Sequence, residues 1–185
     1  MPKSLTTTIT AGLSGVFANV EDLFSSPPGG TAAIAIAHSL GDGNGDDEAN
    51  RLFADKGTIA LNGDVDLDLF GGVTDIFGDV ISFSEVKAIL LWNRSDSVED
   101  NGTATTAELG MGGGDNDAGN AAFDTWITST AADGSELVIV PSGGFVMVMA
   151  PNTGYVCAAA SDELRISNRS GADQAAYRII VVGVQ

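Results

Sequence analysis

Apolar positions along most of this chain recur at every second residue, the period of a strand with one buried face. Residues 31–38 put Ile34, Ile36 and His38 on one side and alanines on the other. Between 58 and 69 the same parity gathers Ile59, Leu61, Val65, Leu67 and Leu69 on one face, with Asp64, Asp66 and Asp68 opposite. Asn62-Gly63 inside that run is a two-residue hairpin signal. A hairpin there would set Leu61 against Asp64 and Ile59 against Asp66, mixing apolar and acidic side chains on one face. One continuous strand, kinked or bulged at Gly63, avoids the conflict and is the expectation.

Further strands are expected at 80–83, 86–93, 103–109, 123–128, 136–140, 145–150, 155–159, 163–168 and 176–184. Turn chemistry separates them, at Phe77-Gly78-Asp79, Pro141-Ser142-Gly143-Gly144, Pro151-Asn152-Thr153-Gly154 and Ser170-Gly171-Ala172-Asp173. In the second half, turns recur about every ten residues, the spacing of a sandwich or barrel. Only 16–24 reads as helix: Val16, Val20 and Phe24 repeat at i, i+4 and i+8 behind Ser14 as cap, and Pro27-Pro28-Gly29-Gly30 ends it. The polar, Gly-rich stretches 41–48 and 110–120 read as long loops. One internal echo stands out. Ile89-Leu90-Leu91-Trp92-Asn93-Arg94-Ser95 and Leu164-Arg165-Ile166-Ser167-Asn168-Arg169-Ser170 both leave a strand through Asn-Arg-Ser.

Composition narrows the function classes. The 185 residues are 44 % hydrophobic, enough to build the core of one domain. Eight Lys and Arg face 25 Asp and Glu, a net charge of −17. The basic residues Lys3, Arg51, Lys56, Lys87, Arg94, Arg165, Arg169 and Arg178 are scattered. Nucleic acid and anionic bilayers bind through clustered cations, so neither is an expected partner. Cys157 is the single cysteine, so no disulfide can close within the chain, and its apolar surroundings point to a buried, inert thiol. The N-terminus has no apolar h-region and no stretch approaches membrane-spanning length, so a reducing cytosol is the expected place of synthesis.

Candidate chemistry is sparse. Asp42, Asn44 and Asp46 match the first ligand positions of a calcium loop, but Asp47 stands where that loop needs Gly and Phe53 where it needs an acid. A solvated acidic loop is the preferred reading, with ion binding left open. Gly112-Gly113-Gly114-Asp115-Asn116-Asp117 lacks the nonapeptide spacing of a calcium β-roll and reads as a flexible loop. The Asp64, Asp66 and Asp68 face reads as a solvent-facing charged strand that discourages edge pairing, with docking of a neighbour's basic residues as the alternative. His38 continues the Ile34/Ile36 face and reads as structural. No nucleophile elbow, phosphate loop or His-Glu-x-x-His occurs, so no catalytic, cofactor or metal residue is expected. In 145–150 and 179–182 both parities are apolar. Such strands need cover on both faces; a loop or, preferably, another subunit would supply the second.

Several segments together carry a resemblance. They are Asp79–Asn93, then Pro141–Pro151 with its Gly143-Gly144 turn, Gly154-Tyr155-Val156, Asp162–Asn168, and the ending Tyr177–Gly183. Their order resembles the small virion proteins of tailed double-stranded-DNA bacteriophages that decorate or cement the capsid shell. The likeness covers residues 57–185. It implies an all-β, antiparallel β-sandwich of jelly-roll type, here with one short N-terminal helix and long acidic loops. Residues 1–56 would form an arm, helix, first strand and acidic loop packed on a main domain of 57–185, one structural domain overall. The Thr-rich segment 1–10 would be free to add a strand to a neighbour. The resemblance further implies a non-enzymatic virion protein, assembled in the host cytoplasm, with two partners: the major capsid protein, and itself as a homo-oligomer, a trimer being favoured. A tail or head-fibre component meeting the host surface, and a lectin-like or calcium-binding module, are the alternatives.

Overall fold

The computed structural model describes residues 4–17, 30–113, 122–123, 126 and 137–185. Their first half forms β1 (Thr7–Phe17), β2 (Gly30–Asp42), β3 (Glu48–Ala49), β4 (Arg51–Ile59), β5 (Asp64–Asp68), β6 (Phe70–Thr74), β7 (Val80–Ser82) and β8 (Glu85–Asn93). A four-residue helix, α1 (Val98–Asn101), follows. Then come β9 (Leu109–Gly113), β10 (Leu137–Val140), β11 (Phe145–Met149), β12 (Tyr155–Val156), β13 (Glu163–Asn168) and β14 (Ala175–Val184). The protein is therefore mostly β, as its alternating pattern predicts.

Two antiparallel sheets face one another. One has the order β11-β8-β14-β4, with β12 also paired to β8; the other has the order β10-β9-β13-β5. Alternation turns Leu91, Ile89, Ile179 and Val181 of the first sheet toward Leu109, Met111, Leu164 and Ile166 of the second, and all eight are essentially sealed from water in one apolar cluster. Burying side chains of this size contributes about 1.5–3 kcal/mol each, so this shared core is the main stabilising term. A third sheet, β1-β2-β3, is a long hairpin joined to the short β3. Its root packs on the back of the first sheet, where Leu40 and Ala49 bury Val182, flanked by Leu5, Ile9 and Leu52.

The Asn-Arg-Ser echo has a structural meaning. Asn93 ends β8 in one sheet and donates Nδ2 to the carbonyls of Ala107 (2.9 Å) and Val140 (2.8 Å), at strand ends of the other. Asn168 ends β13 in the second sheet and donates to Ala60 (2.9 Å) and Ile59 (3.2 Å), where β4 of the first sheet stops. In each case Oδ1 accepts from the serine two residues on, Ser95 or Ser170. Both asparagines are buried. Each clips the end of one layer to the end of the other, and between them they satisfy the buried carbonyls of Ala107, Val140 and Ile59.

Several local expectations are corrected. Ser14 and Val16 lie in β1, opposite Ala33 and Thr31 of β2, and not in a helix; the run of Thr, Ile and Val around them favours strand. The rest of the expected helix, 18–24, lies outside the described residues. The 58–69 run is neither one strand nor a two-residue hairpin. The chain turns at 60–63, where Gly63 N bonds Ala60 O (3.0 Å), Asn62 N bonds Ser170 O (3.1 Å) and Asn62 takes a φ of +52°. That turn passes the chain from one sheet to the other, so Ile59 and Leu67 point into the same core from opposite sides. The parity survives the crossing, and Leu61, in the turn itself, is half exposed. Only Leu109 of the expected strand 103–109 is in a strand. Residues 103–108 form an arch held by Thr105 N to Ser95 O (2.6 Å) and Ser142 Oγ to Thr105 O (2.7 Å). Residues 110–113, expected as loop, continue β9 as buried strand, with Gly113 so close to Ala122 that no Cβ would fit. Residues 114–120 lie outside the described residues. Of 123–128 only Phe123, fully buried, and Trp126 are described. Strand 155–159 stops at Val156, and Cys157 turns into the core. Strand β4 runs through position 57, so the main sheet begins at Arg51 and the division at 56/57 falls inside it.

A test of the two clips follows from their geometry. Asn93→Ala removes the side-chain donor from two buried carbonyls, Ala107 and Val140, and Asn168→Ala removes it from the buried Ile59 carbonyl, at about 1–3 kcal/mol per group. Asn93→Ala should lower unfolding free energy by about 2–6 kcal/mol and Asn168→Ala by about 1–3 kcal/mol, measured by urea melts followed by far-UV circular dichroism. A loss below that of a typical exposed substitution would show that the clips contribute nothing.

Candidate functional site

The back of the β11-β8-β14-β4 sheet is built in three rungs fixed by strand register. The first is Phe145, Trp92, Arg178 and Lys56; the second Met147, Leu90, Ile180 and Ala54; the third Met149, Ala88, Val182 and Leu52. Every member but Arg178 and Lys56 is apolar, and none is acidic. The hairpin root covers Val182 of the third rung. Beyond the root the hairpin rises over the remaining rungs and leaves a cleft of about 780 Å³. Leu13, Ile34 and Ile36 line one wall, and Leu90, Trp92, Phe145 and Met147 the other. Leu13 and Ile34 are cross-strand partners and so present one aliphatic face. They are 79 % and 69 % exposed, and Phe145 is 67 % exposed.

The back of the opposite sheet is polar on its β5 and β13 half. Arg165 stands across from Asp66 and grips its carboxylate with two hydrogen bonds, Nε at 2.7 Å and Nη2 at 2.8 Å. Asp68 accepts from Phe70 N (2.8 Å), and Asp64 remains exposed. The Asp64/Asp66/Asp68 face is thus outward, as its parity predicts, but Asp66 already has its basic partner within the same chain. The β5 and β13 edge of one back is thus charged, whereas the β11 and β8 edge of the other is apolar.

Helix α1 borders the apolar back. Ser97 caps it, accepting from Asp100 N. Asp100 accepts from Arg94 Nε (2.9 Å) and from Arg178 Nη2 (2.6 Å), and the Arg94 guanidinium lies 4.3 Å from the Trp92 ring centre. The two arginines, Arg178 first, hold the Asp100 carboxyl down to about 2 from an ordinary 3.8. One carboxylate so counters part of the positive charge at this end of the face. The sequence carries no signal for it, because Arg94, Asp100 and Arg178 meet only through the fold.

A second apolar feature is the β6–β7 hairpin. Its tip shows Ile76, 73 % exposed, and Phe77, 68 % exposed. Asp75 braces the tip: its Oδ1 accepts from Phe77 N (2.8 Å) and Asp79 N (3.0 Å), and its backbone N–H bonds Asp79 O (2.8 Å). The sequence reveals the turn at Gly78 but not that its apolar pair is held outward by a carboxylate.

The acidic loop after β2 is tied to its own backbone. Asp42 accepts from Leu5 N (3.1 Å), Asn44 from the Asn50 amide, and Glu48 from Gly45 N (2.7 Å). Asp46 is exposed, and Asp47 lies 2.9 Å from His38 Nε2, a structural setting for this histidine. Among the described residues, no three His, Cys, Asp or Glu side chains converge as a metal-binding group. Gly112 and Gly113 are in β9, and 114–117 lie outside the described residues. Thr7–Thr10 of the N-terminal segment pair with β2 of the same chain, so that part of the expected arm is spent on its own hairpin. Cys157 is buried, and burial followed by the Asp162 and Asp68 carboxylates pushes its thiol up to about 12. No protein-family model matches the chain, and no curated protein resembles it in sequence.

Two predictions follow. Because the Asp100 carboxyl is depressed in the folded state, its ion pairs stabilise the protein above an ordinary carboxylate pKa, and this stabilisation fades as pH falls toward about 2. Between about pH 4 and pH 2 the stability of Asp100→Asn should therefore fall less steeply than that of the wild type, as read by urea midpoints across that range; equal slopes would contradict the assignment. Cys157 should resist a thiol-specific disulfide reagent at mildly alkaline pH while folded and react fully in denaturant; rapid labelling of the native protein would contradict its placement.

Proposed function

We propose that this protein is a non-enzymatic structural component of a tailed-phage particle, a jelly-roll domain that decorates or cements the capsid shell. Strand pairing supports the jelly-roll reading. The eight principal strands pair first with last in nested order: β4 with β14, β5 with β13, β8 with β11 and β9 with β10. One long hairpin of four nested pairs, folded over on itself, is how a jelly roll is wound. The resemblance of 57–185 to shell-decorating proteins supports the virion reading.

The observation that carries the adhesive role is the presence of two separate exposed apolar surfaces, the cleft at Trp92 and Phe145 and the braced tip at Ile76 and Phe77. A protein that cements a shell must hold at least two neighbours, and two surfaces on one rigid frame provide for that. The mechanism is mass action. A protein that binds the assembled shell and not the free subunits shifts the balance toward the intact particle. A net charge of −17 suits the outside of the shell better than contact with packaged DNA.

The test is co-sedimentation of the purified protein with empty expanded shells of the major capsid protein from the same phage. Binding at a fixed ratio to shell subunits, with shells that withstand higher temperature when loaded, is the expected result. Shells that sediment without the protein, at concentrations well above those in an infected cell, would overturn the reading.

A further inference from the structure

We propose that the cleft between the β1–β2 hairpin and the back of β8 and β11 is the docking surface for a second copy of this chain. The inference rests on the structural role proposed above and assigns one of its two adhesive surfaces to self-association.

The first argument is area. Leu13, Ile34, Ile36, Trp92, Phe145 and Ile180 are exposed by between 37 % and 79 %. Together they leave several hundred Å² of apolar surface open, the scale of one partner's share, about 800 Å², of a standard interface. Contiguous apolar patches on this scale are often functional contact sites.

The second argument is charge. A copy of this chain brings 25 acidic side chains to any contact with another. Like charges brought together and stripped of water are costly, so a contact between copies needs surface without carboxylates. The cleft is such a surface. Its lining residues from Thr10 to Met147 carry no charge, and across β1 and β2 the only acid among residues 7–17 and 30–42 is Asp42, at the hairpin root away from the cleft. Where charge does approach, it is the basic charge of Arg94 and Arg178, which Asp100 counters in part. Both walls are strands in fixed register, so little ordering is needed on docking.

The experiment is sedimentation velocity of the full chain from low into high micromolar concentration, at about 0.05 and about 0.5 M sodium chloride. The wild type should sediment as a small integral multiple of the chain mass, and association should tighten at the higher salt, because screening relieves repulsion between acidic copies. Phe145→Asp and Ile34→Asp, both at exposed positions, should reduce the mass to that of one chain with an unchanged far-UV circular dichroism spectrum. Phe77→Ser, at the other apolar surface, should leave association intact.

A wild type that stays monomeric throughout would overturn the inference, as would association that loosens with salt or persists in both Asp variants. Loss of association in Phe77→Ser but not in Phe145→Asp would move the contact to the tip and also overturn it. A monomeric wild type that still co-sediments with shells, and stops doing so on Phe145→Asp, would assign the cleft to the shell protein instead. That outcome sinks the self-docking inference and leaves the decorating role standing. Oligomers that ignore shells do the reverse.

Discussion

Two buried asparagines hold the ends of the molecule in register. Apolar packing between the sheets is strong but not directional, so by itself it permits layers to slide. Asn93 and Asn168 remove that freedom. Each stands at the last position of a strand in one sheet and satisfies carbonyls at strand ends of the other. Their positions explain why the connections around them can be short. The turn at 60–63 and the turn at 141–144 both start at carbonyls held by one of these amides or directly beside them, so the chain crosses between layers without stranding backbone groups away from water. Gly183 shows how tight the frame is nearby. A Cβ there would lie 2.2 Å from the Glu85 carbonyl oxygen, next to the register shift that lets Lys87 bulge and reach Glu85 Oε2 and Asn152 O.

A frame fixed at its ends can carry different surfaces on its two backs. On the β5 and β13 side, Asp66 and Arg165 form a cross-strand pair of the sort that tolerates water. On the β8 and β11 side, the same alternation exposes Trp92, Leu90, Phe145 and Met147. Alternation demands only that inward positions be apolar; nothing in folding requires the outward ones to be so. An apolar outward face must therefore be explained by something other than the stability of the isolated chain. The hairpin root buries Val182 of the third rung and leaves Phe145 and Ile180 of the first two exposed.

Much of this was legible in the sequence. Strand 163–168 matched β13 residue for residue, and 145–150 and 176–184 came within one residue of β11 and β14. The double-sided apolar character of 145–150 and 179–182 matches the outward exposure of Phe145 and Ile180. The Asn-Arg-Ser echo pointed to corresponding corners before either could be seen. What stayed hidden was whatever depends on partners distant along the chain. The parity of 58–69 is real, but periodicity reports which way a side chain points relative to the core, not which sheet it belongs to; two sheets around one core give the same reading as one strand. Val16 and Ser14 fit a helical period over too few residues for it to outweigh eleven cross-strand partners. The Asp100 junction joins residues 94, 100 and 178, and no spacing rule connects them.

Charge and apolarity in this chain are best understood together. A net −17 spread over a small body keeps copies apart at most orientations and distances, and an apolar face without that charge would expose the protein to indiscriminate sticking. In the self-docking proposed above, approach is penalised where carboxylates crowd, so repulsion would select orientation and burial would supply the affinity. The Asp100 junction fits this logic. Left bare, Arg94 and Arg178 would attract the carboxylates of any passing copy to the rim of the cleft and reward misaligned encounters. Shared by both arginines, Asp100 weakens that pull without abolishing it, because Arg178 keeps 40 % of its side chain exposed. The same reasoning accounts for the polar back opposite: Arg165 is engaged by Asp66, so it too is withdrawn from competition. Specificity here comes from removing attractive alternatives as much as from building one attractive face.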